Sequence, residues 1–444
     1  MAGSFYPADP VGLRQVVDAA LAAAPGVCAA RPKALVVPHA GYVYSGPVAA
    51  SGYAQLRAPG APVERVVLLG PAHHVPLDGL ALPEATAFAT PLGLVPIDAE
   101  ATDVALAFHQ VSRSEEAHRR EHSLEVQLPF LQAALGPFAL VPLVVGRASP
   151  EAVAAVLEAL WGGPETLLVV STDLSHYLPQ DVASAVDRRT AAQVLALEAH
   201  GLLPEQACGR APLAGLLLAA QRRWLSGRLL DLRSSGDTAG ERDRVVGYGA
   251  FCFEAPAAGS EARRRRAEVA TGLARAAIAS FLDGSTPAPP VEAGWLAEPG
   301  ACFVSLHRRG RLRGCIGSLL AHRPLGEEIV RCARAAATED PRFAPVRPEE
   351  LADLELEVSI LSPLEPLPAH DEAQALAALR PGIDGLLLEA AGRTATFIPA
   401  VWEELPEPRA FLSALRRKAG LPDRWLPDTR LQRFTAERCR EVLP

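Results

Sequence analysis

At 444 residues the chain exceeds what one ordinary core accommodates and predicts two domains. With 49% hydrophobic and 21% charged residues it reads as a soluble globular protein, and no apolar run approaches the roughly 18 residues that span a bilayer. The 43 basic residues fall short of the 51 acidic ones, and the negative excess lies before residue 263, so nucleic acid is not an expected partner and no membrane is implied.

The Ala-rich start "DAALAAAPGVCAA" reads as an amphipathic first helix rather than a secretory core, because no basic leader precedes it and Asp9, Arg14 and Asp18 lie upstream of or within it. In "VVPHAGYVYSG", Val36 and Val37 end a buried strand, Pro38 stops the ladder, and Gly41 opens the next helix, with Tyr42 following as a candidate cleft residue. His39 therefore sits at a strand end. "VERVVLLGPAHH" repeats the pattern with His73 and His74, and "TLLVVSTDLSH" repeats it with Asp173 and His176. Continuous apolar runs of this kind, joined by amphipathic stretches, predict an α/β domain with a mainly parallel central sheet. The carboxyl ends of parallel strands lie along one edge, so residues 39, 73, 173 and 176 can converge there.

Two further segments are candidates. "EHSLEVQLPFLQ" places Glu121 and His122 ahead of an apolar helical stripe, either as site residues or as a charged helix start. "ACGRAPLAG" places Cys208 at the head of a helix, where a lowered thiol pKa and metal ligation are expected, a buried inert thiol being the alternative. "VVGYGAFCFE" closes the unit near Glu254.

"APAAGSEARRRRAEVA" then reads as a linker entering a solvated helix start, which gives domains at 1–255 and 263–444. The second half runs helix, hairpin turning at Gly310, helix and the strand "LELEVSILS", an α+β order. In the hairpin segment "RGRLRGCIGSL", Cys315 is either a small core residue or a thiol activated by Arg313 and the neighbouring Arg308, Arg309 and Arg311. Seven cysteines at irregular spacings, with no CxxC pair, do not make a disulfide framework and suit a reducing cytoplasm.

Six motifs, "GSFYP", "PHAGYVYSG", "LGPAHHVPL", "EHSLEVQLPFL", "STDLSHY" and "CGRAPLAG", occur in the order of the Memo family and span residues 3 to 254. The resemblance implies a fold like that of the class III extradiol dioxygenases and a metal held by His39, His73 and Cys208. It also implies that Asp173 and His176 lie close by, with His176 in the place of the dioxygenase acid/base. Iron is the first expectation, with copper or zinc as alternatives, because a thiolate in place of a carboxylate is softer than the usual two-histidine, one-carboxylate set. "LRGCIGS", "DPRFAPVRPEEL", "GIDGLLLE" and "KAGLPDRW" resemble the AMMECR-type domain.

Together the two resemblances place the chain in the AmmeMemoRadiSam arrangement, as its proteins B and A fused, with a radical S-adenosylmethionine (radical SAM) protein as the implied partner. The expected activity is that of a metal-dependent, redox-type enzyme or enzyme component, a non-haem iron or copper dioxygenase-like oxidoreductase acting on a small molecule or peptide. The alternatives are a non-catalytic binding module and a metal chaperone for the radical SAM partner.

Overall fold

The computed structural model describes residues 1–26, 28, 30–255, 261–284 and 294–441. It divides into two compact units, Met1–Ala255 and Pro256–Pro444. Residues 256–260 of the expected linker lie outside the described residues. Among the described residues no helix is long and apolar enough to cross a membrane.

In the first unit the strands are, in chain order, β1 (Ala34–Val37), β2 (Arg65–Pro71), β3 (Leu80–Leu82), β4 (Ala87–Thr90), β5 (Gly93–Pro96), β6 (Val111–Arg113), β7 (Ala139–Val145), β8 (Thr166–Ser171), β9 (His176–Leu178), β10 (Ser226–Ser234) and β11 (Val245–Glu254). The main sheet has the order β10-β11-β1-β8-β2-β7-β3-β6, with β9 added against β11, while β4 and β5 form a separate hairpin. Its centre, β1-β8-β2-β7, is parallel. The flanks are antiparallel, through β11 against β1 and β3 against β7. The sheet is therefore mixed and mostly parallel at its centre.

Alternation along the strands supplies two cores. Val36, Val67 and Leu69 join one buried cluster, with Val153, Leu157 and Leu213 from the helices Pro150–Ala159 and Arg210–Arg222. Leu35, Val37, Val66 and Leu68 join the other, with Leu13, Val17, Tyr53 and Phe130 from the helices Pro10–Ala23, Tyr42–Tyr53 and Leu128–Leu135. Both faces are covered, which is why these strands are apolar without interruption. Each fully buried leucine contributes about 2 kcal/mol of transfer free energy to this sandwich. Local signals set the helix starts: Asp9 accepts from the Gly12 N–H ahead of Pro10, and Ser149 accepts from the Ala152 N–H ahead of Pro150.

The second unit holds β12 (Ala301–Arg308), β13 (Arg311–Gly317), β14 (Leu354–Leu361), β15 (Glu365–Pro366), β16 (Gly385–Ala390), β17 (Arg393–Phe397), β18 (Arg430–Phe434) and β19 (Ala436–Arg440). They make two four-stranded sheets, β13-β12-β14-β19 and β15-β18-β16-β17, in which every pairing is antiparallel. The turn between β12 and β13 puts Arg309 and Gly310 at φ of 52° and 73°, the left-handed pair that a tight hairpin requires. Arg266, from the arginine run, lies in the helix Glu261–Asp283 and pairs with Glu437 at 2.5 Å, a structural contact within the unit.

Candidate metal centre

Strand order decides which side chains meet. β8 lies between β1 and β2, so the segment after Ser171 is flanked by those that leave Val37 and Pro71. His39 follows β1 and is buried, and its backbone N–H donates to Asp173 Oδ1 at 2.7 Å. Its ring Nδ1 lies 2.9 Å from Ser171 Oγ. The Ser171 hydroxyl donates to the Ser123 carbonyl at 2.6 Å and accepts from Gln127 Nε2 at 2.8 Å. With its one proton spent, Ser171 can only accept from His39, so Nδ1 carries the imidazole proton. The Nε2 lone pair is left facing Cys208 Sγ, 3.3 Å away.

His73 is fixed in the same sense by another partner. Its Nδ1 lies 2.9 Å from Glu121 Oε1, and its backbone N–H donates to Oε2 at 2.8 Å. Oε1 also accepts from the backbone N–H groups of His122 and Ser123, at 3.0 and 2.9 Å. Burial pushes the Glu121 carboxyl upward, but the His73 and Ser123 hydrogen bonds outweigh it and hold the group well below the usual carboxylate range.

Among the described residues two sets of possible ligand atoms lie within 4.8 Å of one another: His39, His73 and Cys208, and His73, Glu121 and His122. They share His73, whose Nδ1 is committed to Glu121. The four N–H groups on Glu121 leave that carboxylate little capacity to ligate, so it orients His73 Nε2 toward the first set. An ion with bonds of roughly 2.0 to 2.3 Å separates tetrahedral ligand atoms by about 3.3 to 3.8 Å, which the 3.3 Å gap between His39 Nε2 and Cys208 Sγ fits.

Cys208 reaches the sheet because Gly209 lets the chain approach it. A Cβ at Gly209 would stand 2.6 Å from Thr172 Cβ and 3.0 Å from the Ser171 carbonyl oxygen. The Asp173 N–H donates to Cys208 Sγ at 3.3 Å. The expected lowering of the thiol pKa is not what the structure gives. Burial, followed by the negative Asp173, pushes the Cys208 thiol up to about 12, so position before a helix is outweighed by desolvation. Burial, then the charge of His73, lowers His39 to about 3, so its imidazole is neutral and ready to ligate.

The remaining candidates divide. Asp173 is buried, which raises its pKa, and it ties the exit of β1 to that of β8. His176 begins β9, and its Nδ1 lies 2.8 Å from the Leu174 carbonyl, so Nδ1 holds the proton and Nε2 is free to accept one. His122 stacks on His73 with ring centroids 4.8 Å apart and on Phe5 at 4.6 Å, and burial followed by the charge of His39 lowers its pKa to about 4. His74 stands 6.5 Å from the His73 ring, outside both sets. Tyr42 is not a cleft residue: its hydroxyl donates to the Val126 carbonyl at 2.6 Å and its ring packs on Tyr6 and Phe130, because it lies on the buried face of its helix.

Ser171, Gln127 and Ser123, which set the His39 tautomer, were missed by sequence reasoning. The signal was faint: one serine ending the apolar run "TLLVVS" and one glutamine inside "EVQLPF".

In the second unit Cys315 Sγ accepts from Ser305 Oγ at 3.2 Å, and the Cys315 N–H donates to Asp340 Oδ2 at 2.9 Å. Arg313 is not an activating cation. It is spent on Glu350 and on the carbonyls of Ala344 and Pro345, and Arg308 is spent on Glu350 and Asp353. The arginine that reaches the Cys315 backbone is Arg342, held by Asp340 at 2.7 Å.

Comparison with known proteins agrees with this division. Residues 1–252 match the family model described as Memo-like protein, and residues 271–439 match the AMMECR1 model. A MEMO1 family protein of Methanothermobacter thermautotrophicus is 36% identical over 270 residues, covering 56% of this chain and 96% of its own length. One from Methanopyrus kandleri is 37% identical over 279 residues, covering 57% and 97%. The crystal structure of an uncharacterized protein from Pyrococcus horikoshii is 32% identical and covers 40% of this chain and 98% of its own, with a TM-score of 0.37. The chain therefore belongs to the Memo-like protein family and carries an AMMECR1 domain after its Memo-like part.

Proposed function

We propose that the first domain is a metal-dependent, redox-type enzyme or enzyme component that binds one transition metal ion through His39 Nε2, His73 Nε2 and Cys208 Sγ. The observation that carries this reading is the gathering of the three side chains within 4.8 Å while Ser171 and Glu121 occupy the other nitrogen of each imidazole. Iron is the first choice, with copper or zinc as alternatives suited to the thiolate. Such an ion would supply Lewis acidity and, if iron or copper, electron transfer to a small-molecule or peptide substrate. The likeness to class III extradiol dioxygenases is proposed for the scaffold only, since the thiolate departs from their ligand chemistry. A cytoplasmic setting and a radical SAM partner rest on the family resemblance, and the seven free thiols suit the former.

Purification without oxygen, followed by elemental analysis and electron paramagnetic resonance, tests the reading. One ion per chain is expected. Failure of iron, copper and zinc all to bind at one equivalent after reconstitution and dialysis would leave the binding-module reading in its place.

His176 is assigned proton transfer through its free Nε2. His176→Ala is expected to leave metal content and melting temperature unchanged while turnover falls by about 10²- to 10⁴-fold. Loss of the ion, or a melting temperature several degrees lower, would make His176 a loop anchor instead.

A further inference from the structure

A second pair of reactive groups lies near the amino end of β1, away from the strand ends that carry His39 and His73. Cys252 is on β11, in register with Leu35 of β1. Cys28 is on the connection from the first helix into β1. Both thiols are buried and free, and their Sγ atoms are 3.8 Å apart. Arg228 of β10, in register with Cys252, brings its guanidinium onto the pair: it donates to Cys28 Sγ and also bonds the Cys252 side chain. The Cys28 backbone is held by Gln55, whose Oε1 accepts the Cys28 N–H at 2.8 Å while its Nε2 donates to the carbonyls of Gly26 and Ser51 at 3.1 and 3.0 Å.

We propose that Cys28 and Cys252 are a redox-active dithiol that reduces a small peroxide and closes to a disulfide. Three features select this chemistry. A guanidinium in contact with both sulfurs stabilises a thiolate and repels a soft metal cation, so the pair is suited to nucleophilic attack rather than to metal binding. Cys28 is 4% exposed and Cys252 is 0% exposed, which excludes a bulky charged disulfide and restricts the oxidant to a small neutral one. Closing the pair to the roughly 2.05 Å of an S–S bond asks for a shift of under about 2 Å, and Cys28 sits on a connection rather than in the sheet.

The roles follow from the contacts. Cys28, in contact with the guanidinium and nearer solvent, attacks first: its sulfur takes one peroxide oxygen, the O–O bond breaks, and the departing hydroxide takes the proton given up by the Cys28 thiol and leaves as water. Burial pushes the Cys252 thiol up to about 12, so it keeps its proton until the second step. Its sulfur then attacks the Cys28 sulfenic acid, the S–S bond forms, and the leaving hydroxide takes the Cys252 proton as a second water. Two thiols and one peroxide give one disulfide and two waters.

The full-length protein, exposed to hydrogen peroxide, alkylated and mapped without reduction, should give a Cys28–Cys252 linked peptide that disappears on reduction. In Cys252→Ala, Cys28 should accumulate as a sulfenic acid trapped by dimedone, and Arg228→Leu should slow linkage by about tenfold. The proposal is overturned if Cys28 and Cys252 both remain alkylatable while Cys208 or Cys315 is oxidised. A Cys28 adduct with no link to Cys252 also overturns it. The wild-type map decides even if a variant fails to fold, and because it does not read metal content it is independent of the proposed metal centre.

Discussion

His39→Ala is expected to weaken metal binding by well over 100-fold, more than the roughly 10- to 100-fold that removal of an outer partner costs. His39 contributes a ligand atom whose tautomer is fixed in advance. Ser171 has no second proton to give, so the imidazole has no alternative arrangement in which Nε2 carries hydrogen. Cys208→Ser should be comparably severe for copper or zinc, because a hydroxyl is a hard, neutral donor where a soft thiolate stood. Since burial holds the Cys208 thiol protonated, metal uptake must also release its proton, and affinity should rise with pH. Titration of the metal-free variants with iron(II) and zinc(II), with circular dichroism to establish that the fold is intact, measures these losses. If both variants keep one equivalent of metal through dialysis against a chelator, the ligand assignment fails.

How much of this was legible in the sequence follows from which interactions are local. "VVPHAG", "VVLLGPAHH" and "VVSTDLSH" each announce a strand by their apolar run and its end by a polar residue, so strand ends and their histidines could be read directly. The antiparallel flanks could not: β11 reads as one more apolar strand, and its direction against β1 is set by pairings such as Leu35 with Cys252 that span more than two hundred residues. The tautomer-setting contacts of Ser171, Gln127 and Ser123 are likewise long-range.

Two expectations, Tyr42 in the cleft and a lowered pKa for the Cys208 thiol, give way for one reason. Tyr42 and Cys208 both sit at helix starts, a position from which burial cannot be told, and in both cases burial decides what the side chain does. In the second domain the arginines adjacent to Cys315 in sequence drew attention, yet the pairing of β13 with β12 shifts register between Leu312 and Gly314, which sets Arg313 apart from the regular alternation. Arg313 is satisfied by Glu350, whereas Arg342 arrives from a separate loop.

Glu121→Ala should be the most damaging substitution outside the ligand set, because one carboxylate with a side chain 1% exposed serves four N–H groups. Alanine leaves the backbone donors of His73, His122 and Ser123 and the His73 ring donor without a partner. Each orphaned buried donor costs about 1 to 3 kcal/mol, and water entering the vacated space recovers part of that, so a net loss of about 3 to 5 kcal/mol is expected. For a domain of this size that lowers the first domain's melting transition by roughly 10 °C. Metal affinity should fall by a further 10- to 100-fold, as His73 is freed to turn.

Glu121→Gln separates orientation from ligation. The amide keeps one acceptor oxygen but turns its NH₂ toward an N–H donor, so the variant should melt between wild type and alanine and still bind one ion, more weakly. If Glu121 were itself a ligand, as the alternative grouping with His73 and His122 would have it, glutamine would retain nearly full stability and lose the ion. Differential scanning calorimetry and metal titration on the same preparations distinguish the two: a stable protein without metal sinks the orienting role, and an unstable protein that still binds one ion supports it.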